Sequence, residues 1–171
     1  DQAEIRRVDD GANANDRTGA EDTITAKLLG RIRVINALSE QRGKQQYAGI
    51  INVTSGLACG PLTTTPTDNA MKAAIHSYTI ALREVLKGKV EVIELAPPAV
   101  QTGLTPGQET RPGYQPLDDF SDEVMALLSQ QPTPPEILVE RVRFLRFAEA
   151  NGQFDDTLVK LNAFAAKARN G

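Results

Sequence analysis

A chain of 171 residues, 40% hydrophobic and 24% charged, can bury a core, and its apolar runs fall short of the ~20 residues that span a bilayer. A net charge of −3 gives no field favouring nucleic acid or an anionic membrane, and no signal-peptide pattern opens the chain. One cysteine, Cys59, excludes an internal disulfide and one histidine leaves zinc only carboxylates, so the expectation is a cytoplasmic protein with a reduced thiol and no metal.

Residues 1–20 are polar, with Ile5 and Val8 the only large apolar side chains, which predicts loop with at most a short strand at 3–8. From 21 to 41, Ile24, Leu28, Ile32, Ile35 and Leu38 recur at steps of three and four, one stripe of a helix. Gly30 inside it admits another backbone. The run QYAGIINVTS (46–55) is short, apolar and rich in β-branched residues, the pattern of a buried strand. TPTDNAMKAAIHSYT (65–79) then opens a helix from about Thr67 to Leu86, with Ala70, Ala73, Ala74, Ser77 and Ala81 on its narrow side.

A second buried strand, KVEVIELAPP (89–98), is stopped by two prolines. Residues 99–117 hold Pro106, Gly107, Pro112, Gly113 and Pro116, an irregular and mobile segment. Asp118 or Ser121 caps a helix with Phe120, Val124, Leu127 and Leu128 on one side. Residues 136–139 read as a last strand, and 140–152 and 154–168 as surface helices. No repeat or linker interrupts the chain, which is read as a single domain over 1–171.

Helices alternating with buried strands define a parallel α/β sheet, whose ligands sit beyond the carboxyl ends of the strands. Thr54, Ser55 and the loop 97–102 should therefore border any pocket. In that frame IINVTSGLACGPLTTTPTDNAMKAAIHSYTIALREVLKGKVEVIELAPPAVQTGL (50–104) resembles the catalytic half of the short-chain dehydrogenase/reductases, and within them the DltE-like branch. AEDTITAKLLGRIRV, PLDDFSDEVMALL and LVKLN extend the likeness over roughly residues 20 to 165.

The resemblance implies a serine that orients the substrate oxygen and a tyrosine thirteen residues on as acid/base. It implies a lysine four further that tunes the tyrosine and holds the cofactor ribose, and an asparagine on the preceding helix in a water relay. Ser55, Asp68, Lys72 and Lys27 stand at these positions. PPAVQT is intact, so Pro97, Pro98, Val100 and Thr102, with Lys72, would lie against a nicotinamide if a dinucleotide binds at all. The family's NNAG would fall on Asp9, Asp10, Gly11 and Ala12, a poor fit.

Two departures follow. A carboxyl beside an ammonium is a poor proton donor where a phenol serves well, so ordinary carbonyl reduction should be crippled. The family's first three strands would precede residue 1, and neither GxxxGxG nor GxGxxG occurs in the 171 residues, so a pyrophosphate has no anchor. The expected fold is a truncated Rossmann-like, doubly wound parallel sheet of about three or four strands flanked by helices, its N-terminal cofactor-binding βαβ units missing. No cofactor is expected, NAD(P) entering only with an N-terminal half outside this chain.

Plainer readings stand beside these. Asp68 and Lys72 can be an exposed i,i+4 helix pair worth about 0.3–0.5 kcal/mol. Thr54 and Ser55 can satisfy strand-end backbone, Lys27 can be an exposed helix lysine, and His76 is taken as packing or surface. Three functions remain open: cofactor-free proton transfer (isomerase, cyclase or lyase type) using Ser55, Asp68 and Lys72; a non-catalytic binding or partner subunit; or a fragment of an NAD(P)-dependent oxidoreductase. The partners expected are a small-molecule ligand and either a second copy, through helices 21–42 and 66–87, or a chain covering the 3–8 sheet edge. Arg6 and Arg7 on that edge discourage indiscriminate pairing.

Overall fold

The computed structural model describes residues 17–42 and 49–170; the expected strand at 3–8, with its sheet edge, lies outside them. Three parallel strands, β1 (Gly49–Val53), β2 (Glu91–Leu95) and β3 (Glu136–Ile137), form a sheet in that order. Asn52 stands opposite Glu94, and Leu95 opposite Ile137. Ahead of β1 run α1 (Arg17–Thr23), a π-helical turn (Ile24–Leu29) and α2 (Gly30–Arg42). The crossover from β1 to β2 is α3 (Pro66–Val85), and that from β2 to β3 is α4 (Leu117–Leu128). After β3 come α5 (Glu140–Arg146) and α6 (Phe154–Asn170).

Alternation along the strands sends side chains to two layers. Ile50 and Val92 pack with Ile35 of α2 and Leu82 of α3 on one face. Ile93 and Ile137 pack with Val124 of α4 and Val142 of α5 on the other. Helices on both faces of a parallel sheet make the Rossmann-like, doubly wound arrangement expected from the sequence. From α3, Arg83 donates to the carbonyls of Val92 and Pro135, both at 2.8 Å, which ties the helix across the starts of β2 and β3.

Several expectations are corrected. The strands are shorter than their apolar runs, and β1 is buried on one face only: Ile51 and Val53 are 49% and 42% exposed, because α4 covers β2 and β3 but not β1. The surface helix expected over 140–152 is shorter and has one buried side. The helix ends at Arg146, and Val142 and Leu145 lie in the core. They approach the loop after β1 at Gly56, where an added Cβ would sit 2.7 Å from Val142 and 2.8 Å from Leu145. α4 starts at Leu117 behind Pro116, ahead of both expected caps, and Ser121 donates instead to the Leu117 carbonyl within the helix at 2.8 Å.

The segment 99–117 is irregular, as its prolines and glycines dictate, but it is laced together. The Gln115 amide donates to the Ala99 carbonyl (2.9 Å) and the Gln101 amide to the Gln115 carbonyl (2.8 Å). The buried Gln108 side chain donates to the Val100 carbonyl (2.8 Å) and to Thr102 Oγ1 (2.9 Å).

Candidate active site

The carboxyl ends of β1 and β2 are fastened to each other: the Thr54 amide donates to the Leu95 carbonyl at 2.8 Å, and the Gly56 amide to the Pro97 carbonyl at 3.0 Å. This places Ser55 beside the proline pair. Its backbone is extended, and its hydroxyl oxygen accepts from the Leu57 amide at 3.2 Å, a bond that does not use the hydroxyl's own hydrogen. Across from it, α3 begins at Pro66 and carries Asp68 in its first turn, where the helix dipole favours a carboxylate. One turn on comes Lys72; both side chains are buried.

Lys27 reaches the same place from the π-helical turn. An extra residue in that turn rotates everything before it, so Ile24, placed on the core stripe by simple periodicity, is 39% exposed while Lys27 turns inward. Its ammonium lies 3.6 Å from Asp68. The plainer reading of Asp68 and Lys72 as an exposed helix pair does not hold, since both are buried, and an ion pair of the Asp68 carboxylate reaches Lys27 ahead of α2.

All the residues singled out from sequence, Lys27, Ser55, Asp68, Lys72, Pro97, Pro98, Val100 and Thr102, line a single cavity of about 220 Å³. One wall is apolar, formed by the prolines and Val100. The rest of the lining includes the Lys27 and Lys72 ammonium groups, the Asp68 carboxylate and the Ser55 hydroxyl. Such a set can hold an oxyanion and accept a proton next to it.

A second polar constellation lies behind the cavity. Glu94, inside the sheet and 1% exposed, accepts a 2.6 Å bond from Thr54 Oγ1. His76 Nδ1 sits 2.9 and 2.8 Å from its two carboxylate oxygens. The His76 pKa is raised: the hydrogen bond to Glu94 favours the imidazolium against the opposing effect of burial. Nearby Arg146 donates twice to Glu136, at 2.9 Å each. Burial, the largest single influence, pushes the Glu136 carboxyl up, but those bonds together with the charges of Arg146, His76 and Arg83 hold it below the usual range.

Sequence reasoning took His76 for packing or surface and passed over Glu94. The only available signal was a charged residue following the apolar pair Val92 and Ile93 in a strand read as buried. The His76, Glu94 and Glu136 ligand atoms lie within 4.8 Å of one another, a spacing open to a metal ion. The Arg146 guanidinium already supplies the cation there. The Cys59 thiol, half-buried, has its pKa pushed up by desolvation.

The apolar prolines, Val100 and the Thr102 hydroxyl suit the nicotinamide end of a dinucleotide. For the pyrophosphate the 171 residues offer no glycine-rich turn, so the fit is to one end of the molecule.

With this geometry in view, the chain belongs to the short chain dehydrogenase family, whose sequence pattern matches residues 3–112. It is 39% identical over 122 residues to "Uncharacterized oxidoreductase DltE" of Bacillus subtilis (strain 168), a stretch covering 70% of this chain and 48% of that protein. The chain therefore spans about half the length of this curated relative.

Solved structures share the fold. A short chain dehydrogenase from Burkholderia cenocepacia J2315 in complex with NADP superposes with a TM-score of 0.72 at 22% identity, over 87% of this chain and 64% of that one. A short-chain dehydrogenase from Sphingobium yanoikuyae in complex with NADPH gives 0.65 at 18% identity, over 80% and 54%. Among the described residues no helix is long and apolar enough to cross a membrane.

Proposed function

We propose that the cavity of this oxidoreductase-family chain performs proton transfer on a small carbonyl compound without a nucleotide cofactor. In this reading Asp68 occupies the position of the family's acid/base tyrosine. The carboxylate of Asp68 removes a proton from the carbon next to the carbonyl. The C–H electron pair moves onto the carbonyl oxygen, and the resulting enolate is held by the Ser55 hydroxyl and the Lys72 ammonium. Return of the proton to carbon or oxygen completes an isomerisation with atoms and charge balanced. Lys27 keeps Asp68 oriented. The observation that carries this reading is the buried Asp68 carboxylate, ion-paired with Lys27 at 3.6 Å, in one cavity with Ser55 and Lys72.

A second reading, in which the chain is part of an NADP(H)-dependent oxidoreductase, is favoured by the intact apolar wall and by relatives of roughly twice the matched length. One experiment separates the two. Deuterium exchange into the α-carbon of small ketones is followed by NMR in D₂O with dialysed protein, and melting is followed with and without NADPH. Proton transfer predicts exchange without nucleotide that falls about 10²-fold or more in Asp68→Asn. Absence of exchange above buffer, or exchange equal in the variant, refutes it. A rise in melting temperature with NADPH supports the second reading.

The outward side of α3, where Ala70, Ser77 and Ala81 are exposed, is proposed as the contact surface for a second copy of the chain.

A further inference from the structure

The Glu94 carboxylate touches both elements that build the candidate site. From the strand side it accepts from Thr54 Oγ1 at 2.6 Å, and Thr54 is the residue before Ser55. The other acceptor near that hydroxyl, the Leu95 carbonyl, is 3.5 Å away. From the helix side His76 Nδ1 faces both carboxylate oxygens, at 2.9 and 2.8 Å. Asp68, Lys72 and His76 follow at four-residue steps, so they form one slanted row along α3. An ionised carboxyl only accepts, and it does so with two oxygens, which lets one side chain hold a strand end and a helix together. The 2.6 Å bond from Thr54 has the length of a charge-assisted one.

The surroundings separate this link from the general attachment of α3. Glu136 stands opposite Glu94 in register, but Arg146 takes it in a fork, so the two carboxylates do not draw on one partner. Asn52 Nδ2 donates to Thr79 Oγ1 at 2.9 Å, which ties β1 to α3 by a separate route. Past the serine, Asn162 of α6 clamps the loop after β1, accepting from the Thr63 amide (2.8 Å) and donating to the Pro61 carbonyl (3.1 Å). What Thr54, Glu94 and His76 add is a fixed relation between the end of β1 and the row that carries Asp68 and Lys72.

We propose that Glu94 is a positioning residue, which through Thr54 and His76 sets the Ser55 hydroxyl against the Asp68 and Lys72 side chains. What those three groups do to a substrate rests on the proton-transfer reading. Their placement does not, and the Leu57 amide reports it without turnover, because it donates to the Ser55 hydroxyl oxygen.

The test uses the isotope-labelled full chain with two readouts, deuterium exchange into 2-butanone and hydrogen-exchange protection of the Leu57 amide. Thr54→Val, which removes the hydroxyl at nearly constant shape, should lower turnover about 10- to 10²-fold with KM little changed. It should also lower Leu57 protection about tenfold while the Leu82 amide of α3 keeps its own. Thr54→Ser should restore both. His76→Leu, which cuts the link at the helix, should reproduce both losses, and His76→Gln, which can still donate to Glu94, should recover them. The Thr54→Val, His76→Leu double variant should be no worse than the worse single one, because the two act in series. Absence of turnover in the parent refutes the proton-transfer reading alone, and Leu57 protection then decides the placement. Unchanged Leu57 protection in Thr54→Val, no recovery in Thr54→Ser, or losses that add in the double variant overturn the proposal.

Discussion

Glu94 is a carboxylate in the middle of a parallel sheet, a position where an unpaired charge would cost several kcal/mol. It is tolerated because a hydroxyl and an imidazole, from different elements, both face it. Thr54 is the residue before Ser55, so the bond from Thr54 to Glu94 fixes the strand end that aims the serine. The pH dependence follows from the directions of the shifts. His76 has its pKa raised above 6.5 in the fold, so its contribution to stability is fully present below 6.5 and is lost as pH rises through the folded value. Glu136 is depressed below 4.5, so its contribution is present above 4.5 and is lost as pH falls through the folded value. Both are in force together between 4.5 and 6.5. Melting temperature measured against pH should therefore decline on the alkaline side of this window. His76→Gln should flatten that decline, and an unaltered profile in the variant would show that the imidazole is not responsible.

Among the elements, α5 depends on the absence of a side chain elsewhere. Gly56 leaves room for Val142 and Leu145, both in the core and without space to retreat. Gly56→Ala should destabilise by about 1–3 kcal/mol, roughly 2–10 °C in melting temperature, through overpacking. Gly103→Ala, where an added Cβ meets nothing within 4 Å, serves as the unaffected control.

What could be read from sequence was what periodicity and punctuation encode. The crossover helix starting at Pro66, the two strands ended by TSG and APP, and the convergence of their ends on Ser55 all follow from local pattern. What could not be read depends on a partner. Lys27 points inward only because a π-helical turn intervenes, and no residue type announces that turn. His76 and Glu94 meet only because α3 lies across β2, which a linear reading cannot weigh against two separate surface groups. The helix expected over 140–152 is found at 140–146, and what was not legible was the packing of its inner side, Val142 and Leu145, on Gly56.

For the molecule as a whole, the outward side of α3 bears on the proposed assembly. α3 buries Met71, Ile75 and Leu82 inward and presents Ala70, Ser77, Ile80 and Ala81 outward, mostly small side chains on the surface proposed above for a second copy. Sedimentation equilibrium should give a mass twice that of one chain, and Ala81→Glu should return it to one. A single-chain mass for the parent protein at every concentration tested would exclude this surface as a dimer contact.

The clamp at Asn162 has a consequence for the order of events during synthesis. It joins α6 to residues 61 and 63, about a hundred positions earlier in the chain. A nascent polypeptide carries Ser55, Asp68 and Lys72 well before α6 is made, but the far wall beside the serine is supplied by that seventeen-residue helix. Until that helix emerges the reactive groups are open to water on one flank. Competence for binding therefore waits on α6, not on the segment that carries Ser55, Asp68 and Lys72.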